Sequence, residues 1–259
     1  MQDKRAALDL EIAQHFRDEL RDARAVALKD AEAFEQLIFV FERLGVYLSG
    51  RIGDLGRYAE PLTREALRSP LAHNIPAVLP DWHADFSTLY QLVRTARNDA
   101  MHEGAYARHL TKHAVELSIV LEDALMAEAY CARDFMVGDP VCAYSWQPIS
   151  SIRRSMLVNA FSFLPLVPEA GHEGDWKLLS DYSIATYLRA SEGGNERNRR
   201  LAQKLSDLIK QDAIELTVAP VCGPEEPIAT VIERSQGRPV LVIGSNRELR
   251  GILTPFDLL

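Results

Sequence analysis

Trp176-Lys-Leu-Leu-Ser180 and Arg250-Gly-Ile-Leu-Thr254 stand 74 positions apart, and the same offset relates Leu164-Pro165-Leu-Val to Arg238-Pro239-Val-Leu. Upstream, Pro148-Ile149 aligns with Pro227-Ile228 at an offset of 79, so the first copy holds five extra residues, placed around Asn159 to Phe163. Constant order with a small insertion is what duplication leaves behind. Within each copy, short β-branched segments alternate with short helical ones, the pattern of an α/β unit. Each reads as strand, helix, two-stranded hairpin and closing helix. The C-terminal half, 134–259, is therefore expected to be a tandem β-α-β-β-α repeat, the first copy over about 134–190 and the second over about 207–259.

Before residue 134 the period changes. Leu8, Ile12 and Phe16, then Phe34, Ile38 and Phe41, recur at helical spacing, which predicts a bundle of amphipathic helices over 1–133. A long helix from about Asp30 to Ser49 ends at the glycine-containing Ser-Gly-Arg-Ile-Gly-Asp-Leu-Gly. Pro61 to Pro80 reads as loop, with one short helix around Thr63 to Arg68. Helices from about Asp85 to Asn98 and from about Tyr106 to Glu128 follow, with Gly104 breaking the chain between them. The fold class is a two-domain α plus α/β protein, and 259 residues allow each half its own core.

Composition narrows the function classes. Hydrophobic residues at 47% and charged residues at 25% are those of a folded globular chain. The apolar runs Leu37 to Phe41 and Pro239 to Gly244 are far too short to span a bilayer, and the N-terminal stretch lacks the pattern of a secretion signal, so a cytoplasmic location is expected. Cys131, Cys142 and Cys222 are odd in number and lack metal-binding spacing, as expected of reduced thiols. The net charge of −8 argues against a protein that coats nucleic acid by neutralising phosphates. Within 94–113 the sign reverses, because Arg94, Arg97, Arg108 and Lys112 outnumber Asp99 and Glu103. A basic island in an acidic domain suits a short anionic segment.

That island contains Arg97-Asn98-Asp-Ala-Met-His102, between the apolar Phe86-Ser-Thr-Leu-Tyr-Gln-Leu-Val93 and a long amphipathic helix. The stretch resembles the R-N-x-x-x-H signature of the HEPN superfamily. The resemblance implies a metal-independent endoribonuclease, active as a homodimer, with Arg97 and His102 as the catalytic pair and Asn98 orienting them. The chemistry is intelligible without the family: an imidazole can move a proton at a ribose 2′-hydroxyl or a leaving 5′-oxygen. A permanent guanidinium can stabilise charge developing on the phosphate. The same two residues could instead cap a helix end, with Arg97 pairing to Asp99 or Glu103. The resemblance also extends to toxins and phage-defence effectors held by an antitoxin or other regulatory protein. Gly104 stands where such toxins carry a modifiable tyrosine, and Tyr106 is out of register, so that mode of control is not expected. His109 and His113 are four apart but lack a third ligand, and no metal site is assigned.

The closing Gly251-Ile-Leu-Thr254-Pro-Phe-Asp257-Leu-Leu resembles the CBS repeat, two of which form one module with clefts for AMP, ATP or S-adenosylmethionine. The resemblance implies that Thr254 contacts phosphate or ribose and that Asp257 accepts from the ribose hydroxyls. Ser180 and Asp181 are the nucleotide-binding candidates of the first copy, although strict register places Ser183 opposite Asp257 and leaves Asp181 two positions early. Without any ligand, Thr254 and Asp257 would also suit an N-cap and a first-turn carboxylate. Together the halves read as a ribonuclease that needs no cofactor for catalysis, takes RNA as substrate, and is regulated by an adenine nucleotide. The alternative is a noncatalytic nucleotide-sensing dimerisation or scaffold protein.

Overall fold

The computed structural model describes residues 8–100, 107–169, 175–189 and 194–259, without the side chains of 32, 98–100 and 107–110. Two compact units meet between Ala129 and Tyr130. The boundary expected after residue 133 falls late, because Ala132 is fully buried in a C-terminal core with Cys222, Val231 and Leu253.

The N-terminal unit holds α1 (Leu10–Lys29), α2 (Glu35–Ser49), α3 (Leu55–Ala66), α4 (Asn74–Val78), α5 (Phe86–Ala100) and α6 (Ala107–Leu125). In α1, Ala13, Phe16, Leu20, Ala23 and Ala27 fall on one buried stripe, and the Asp9 side chain caps the first turn. Helix α1 packs on α2 and α6, and α5 packs on α6. At Gly45 of α2 a Cβ would run into the Tyr58 ring of α3, so glycine there sets how closely these two helices approach. Helix α2 stops at Gly50, whose φ of 67° continues no right-handed turn.

The region read as loop from Pro61 onward begins inside α3, which carries Pro61 in its interior. An interior proline costs about 3 kcal/mol through its lost hydrogen bond and ring clash. Burial of Leu55, Tyr58 and Leu62 on one face offsets this, at about 1.5–3 kcal/mol per large side chain. Packing overrides the local signal.

The C-terminal unit runs α7 (Ala132–Phe135), β1 (Val137–Gly138), α8 (Ile149–Asn159), β2 (Phe163–Leu166), β3 (Lys177–Ser180), α9 (Asp181–Arg189), α10 (Gly194–Ala202), α11 (Leu205–Lys210), β4 (Thr217–Val218), β5 (Val221–Cys222), α12 (Ile228–Ser235), β6 (Val240–Ile243) and β7 (Leu249–Leu253), and ends in a 3-10 turn, Pro255–Leu258. The strands form two sheets, β2-β3-β4 and β1-β7-β6-β5. The duplication read in the sequence is visible as matched hairpins, β2–β3 and β6–β7, each behind one helix.

The copies exchange their leading segments. Strand β1, at the head of the first copy, pairs with β7 of the second through Val137 opposite Ile252. Strand β4, near the head of the second copy, pairs with β3 of the first through Thr217 opposite Leu178. The backbone repeats the exchange bond for bond: the Ala132 amide donates to the Glu226 carbonyl and the Leu205 amide to the Gln147 carbonyl, each at 2.9 Å. Each lobe is thus built from pieces of both copies.

The register also relocates the five extra residues. Leu164 lies opposite Leu179, and Val240 opposite Leu253, so Leu164 matches Val240 and not Arg238. Helix α8 has 11 residues and α12 has 8, and both end in a left-handed cap, at Ala160 and Gln236. Three of the additional residues therefore lengthen α8, and the other two lengthen the hairpin loop between β2 and β3. The shared proline of Leu164-Pro165 and Arg238-Pro239 is a chance identity, whereas the ladder is set by which faces are buried.

Candidate functional site

A cleft of about 580 Å³ opens where the β2–β3 hairpin of the first copy meets the leading segment of the second. Leu166 and Val167 on the hairpin, with Ile209 and Leu216 on the exchanged segment, give it apolar walls. Its charged groups come as two carboxylates, Glu169 and Asp175, and two ammonium groups, Lys177 and Lys210, with Ser145 and Ser206 adding hydroxyls. Its volume is that of an ordinary small-molecule site, mostly apolar with a few polar groups.

Trp176 is the pivot of this region. Only 8% of it is exposed, and it packs with Leu178, Ala219 and Leu241, so one side chain joins β3 of the first copy to β6 of the second. Its carbonyl accepts from the Ala219 amide at 3.0 Å, while the buried indole Nε1 has no hydrogen-bond partner among the described residues. An orphaned buried donor costs about 1–3 kcal/mol.

The residues expected to grip a nucleotide sit elsewhere. Thr254 is the N-cap of the last 3-10 turn, and one Asp257 oxygen accepts from both the Thr254 amide and its hydroxyl, each at 2.7 Å. Asp257 is buried, and its carboxylate serves the cap. At the matching place in the first copy, the Ser180 hydroxyl receives the Ser183 amide at 3.0 Å and lies 2.8 Å from the Ser183 hydroxyl. A hydroxyl thus occupies the position of the second copy's carboxylate. Asp181 is exposed at the start of α9 and faces a different groove, lined by arginines. None of Ser180, Asp181, Thr254 and Asp257 lines the cleft. Sequence reading missed Trp176 as a site residue, although it opens the repeated stretch and is aromatic where the second copy has Arg250.

In the helical unit, Arg97 lies in the last turn of α5. Its guanidinium meets Glu42 of α2 at 2.9 Å. That ion pair crosses the bundle from α5 to α2, while the side chain of Asp99 lies outside the described residues. His102 lies outside the described residues, as do Glu103, Gly104 and Tyr106 and the side chains of Asn98 and His109. His113 Nδ1 is 3.9 Å from Glu116, and no group of three metal-ligating side chains occurs among the described residues. Cys131, Cys142 and Cys222 are unbridged. Burial raises all three thiols above the ordinary range, Cys222 to about 11. No helix among the described residues is long and apolar enough to cross a membrane.

No family model matches the chain, and no curated protein does. Among solved structures, CBS domain-containing proteins align with about half of the chain. A CBS domain-containing protein from Bacillus anthracis aligns with a TM-score of 0.40 and 15% identity, over 49% of this chain and 88% of that one. CBSX2, crystallised with AMP, aligns with a TM-score of 0.37 and 16% identity over 50% and 93%. CbpB, crystallised with c-di-AMP, aligns with a TM-score of 0.38 and 12% identity over 49% and 81%.

Proposed function

We propose that the C-terminal unit is a sensor of an adenine nucleotide, and that the helical unit is a metal-independent endoribonuclease regulated by it. The observation that carries the sensor reading is the make-up of the cleft, whose walls come from both copies. Apolar side chains suit the base, Lys177 and Lys210 suit phosphate, and Glu169 and Asp175 suit the ribose hydroxyls, because a carboxylate accepts through both oxygens. A ligand there touches the β2–β3 hairpin and the exchanged β4 segment together. It therefore favours one arrangement of the two lobes over another, which is what regulation by binding requires.

The ribonuclease reading is supported by the motif and by the setting of Arg97. The guanidinium is 38% exposed and is fixed by Glu42, so it is oriented while still open to a phosphate. His102 then has the proton-transfer role, and a pair of chains would bring two such motifs together.

Calorimetric titration of the full chain with AMP and ATP tests the sensor. Lys210→Ala should weaken binding about tenfold, and no binding of either nucleotide by the wild-type chain would end this reading. RNA cleavage in excess chelator tests the enzyme separately. Arg97→Ala and His102→Ala should each lower the rate about a hundredfold or more, and the products should carry 2′,3′-cyclic phosphate or 3′-phosphate ends. Products with 5′-phosphate and 3′-hydroxyl ends, or full activity in either variant, would refute it.

A further inference from the structure

A groove of about 520 Å³ runs between α8 and α9 with α10 alongside, and no residue of the nucleotide cleft contributes to it. Arg153 of α8, Arg189 at the end of α9 and Arg197 of α10 converge on it. Leu157 and Ile184 lie between them, with Asp181 as the acidic group. Arg153 and Leu157 are one helical turn apart, and so share a face of α8.

The chain has 37 acidic against 29 basic residues, and acid is nearby almost everywhere. Many arginines take it up: Arg24 meets Glu122, Arg43 meets Glu19, Arg68 meets Glu65 and Glu128, Arg133 meets Glu225, and Arg234 meets Glu226. Even on α10, Arg199 and Arg200 both turn to Glu196. Arg153, Arg189 and Arg197 make no ion pair with any described residue, Asp181 included. Three like charges around one concavity repel one another until an anion enters. Guanidinium forks are the side chains best shaped to take several oxygens of one anion at once.

We propose that this groove binds a small phosphate monoester with an apolar or aromatic body. A phosphate monoester presents three terminal oxygens to three forks arriving from three helices, whereas a carboxylate has only two. The body of the ester lies over Leu157, burying apolar surface that is otherwise wet. Arg200, which donates to the Tyr187 carbonyl at 2.6 Å and stacks on the Tyr187 ring, fixes α10 against α9 and keeps Arg197 in place.

The experiment is calorimetric titration of the full chain with 1-naphthyl phosphate, inorganic phosphate and 1-naphthol. The phosphate ester should bind once per chain, about tenfold or more tighter than inorganic phosphate, and the naphthol should not bind. Arg153→Gln, Arg189→Gln and Arg197→Gln should each weaken the ester about tenfold, while Lys210→Ala leaves it unchanged. All three arginines are exposed, so these variants should fold as the parent does. Undiminished binding in the three glutamine variants, or loss in Lys210→Ala, would place the ester in the cleft and overturn the proposal without touching the nucleotide reading. No binding of the ester by the wild-type chain would overturn it outright.

Discussion

The two copies of the C-terminal unit share a scaffold and differ in what they attach to it. Both place a buried leucine at the same rung of the hairpin, Leu179 and Leu253, and both begin their helix after a proline, Pro148 and Pro227. They part at three points. The first copy has Trp176 and Lys177 where the second has Arg250 and Gly251, and Ser183 where the second has Asp257. The cleft is lined by the first copy's hairpin. Duplication preserved the residues that set the ladder, and the positions that differ carry the lining and the caps.

The sharpest test of this shared scaffold is truncation of the matched leucines. Leu179→Ala and Leu253→Ala should each cost about 2–5 kcal/mol. Because the leading segments are exchanged, both variants should shift one common unfolding transition in urea. Two separable transitions, one for each lobe, would mean that the exchange does not couple them.

A smaller effect is expected at the caps. Asp257→Ala removes a buried carboxylate that accepts two bonds from Thr254, and should cost about 1.5–3 kcal/mol. Ser183→Ala leaves the Ser183 amide bond to Ser180 in place, and should cost about 0.5–1.5 kcal/mol. Equal losses on denaturation would remove the distinction drawn between the copies. Gly251→Ala comes last. A Cβ there would lie 2.7 Å from Met136 Sδ and 2.8 Å from the Val137 carbonyl, an overpacking worth about 1–3 kcal/mol. Lys177→Ala, at the matched position in the first copy, should leave stability within about 0.5 kcal/mol. A Gly251→Ala variant as stable as the parent would show that β1 does not need the close approach.

The repeat itself was legible because duplication leaves paired stretches such as Trp176-Lys-Leu-Leu-Ser180 and Arg250-Gly-Ile-Leu-Thr254. So were the helical period of the first half and the Thr254–Asp257 cap, both written in local spacing. The exchange of β1 and β4 was not, since two-residue strands leave no periodicity and their partners lie far along the chain. The hairpin register was misread by two because a proline identity outweighed the burial pattern. The partner of Arg97 was hidden for a related reason: Glu42 is remote in sequence and adjacent only once α2 and α5 are packed. Pro61 misled in the opposite sense, a strong local signal overruled by the face that Tyr58 and Leu62 bury.

The exchanged leading strand also sets a timetable for synthesis. Val137 emerges from the ribosome 115 residues before Ile252, the residue it must pair with. At about 5–20 residues per second, β1 waits roughly 6 to 23 seconds with its edge unmatched. During that interval Val137 and the buried face of α7 are open to chaperones, or to the same segment of a neighbouring nascent chain. Completion of this unit therefore waits on the arrival of Leu249 to Leu253, the strand that β1 must join.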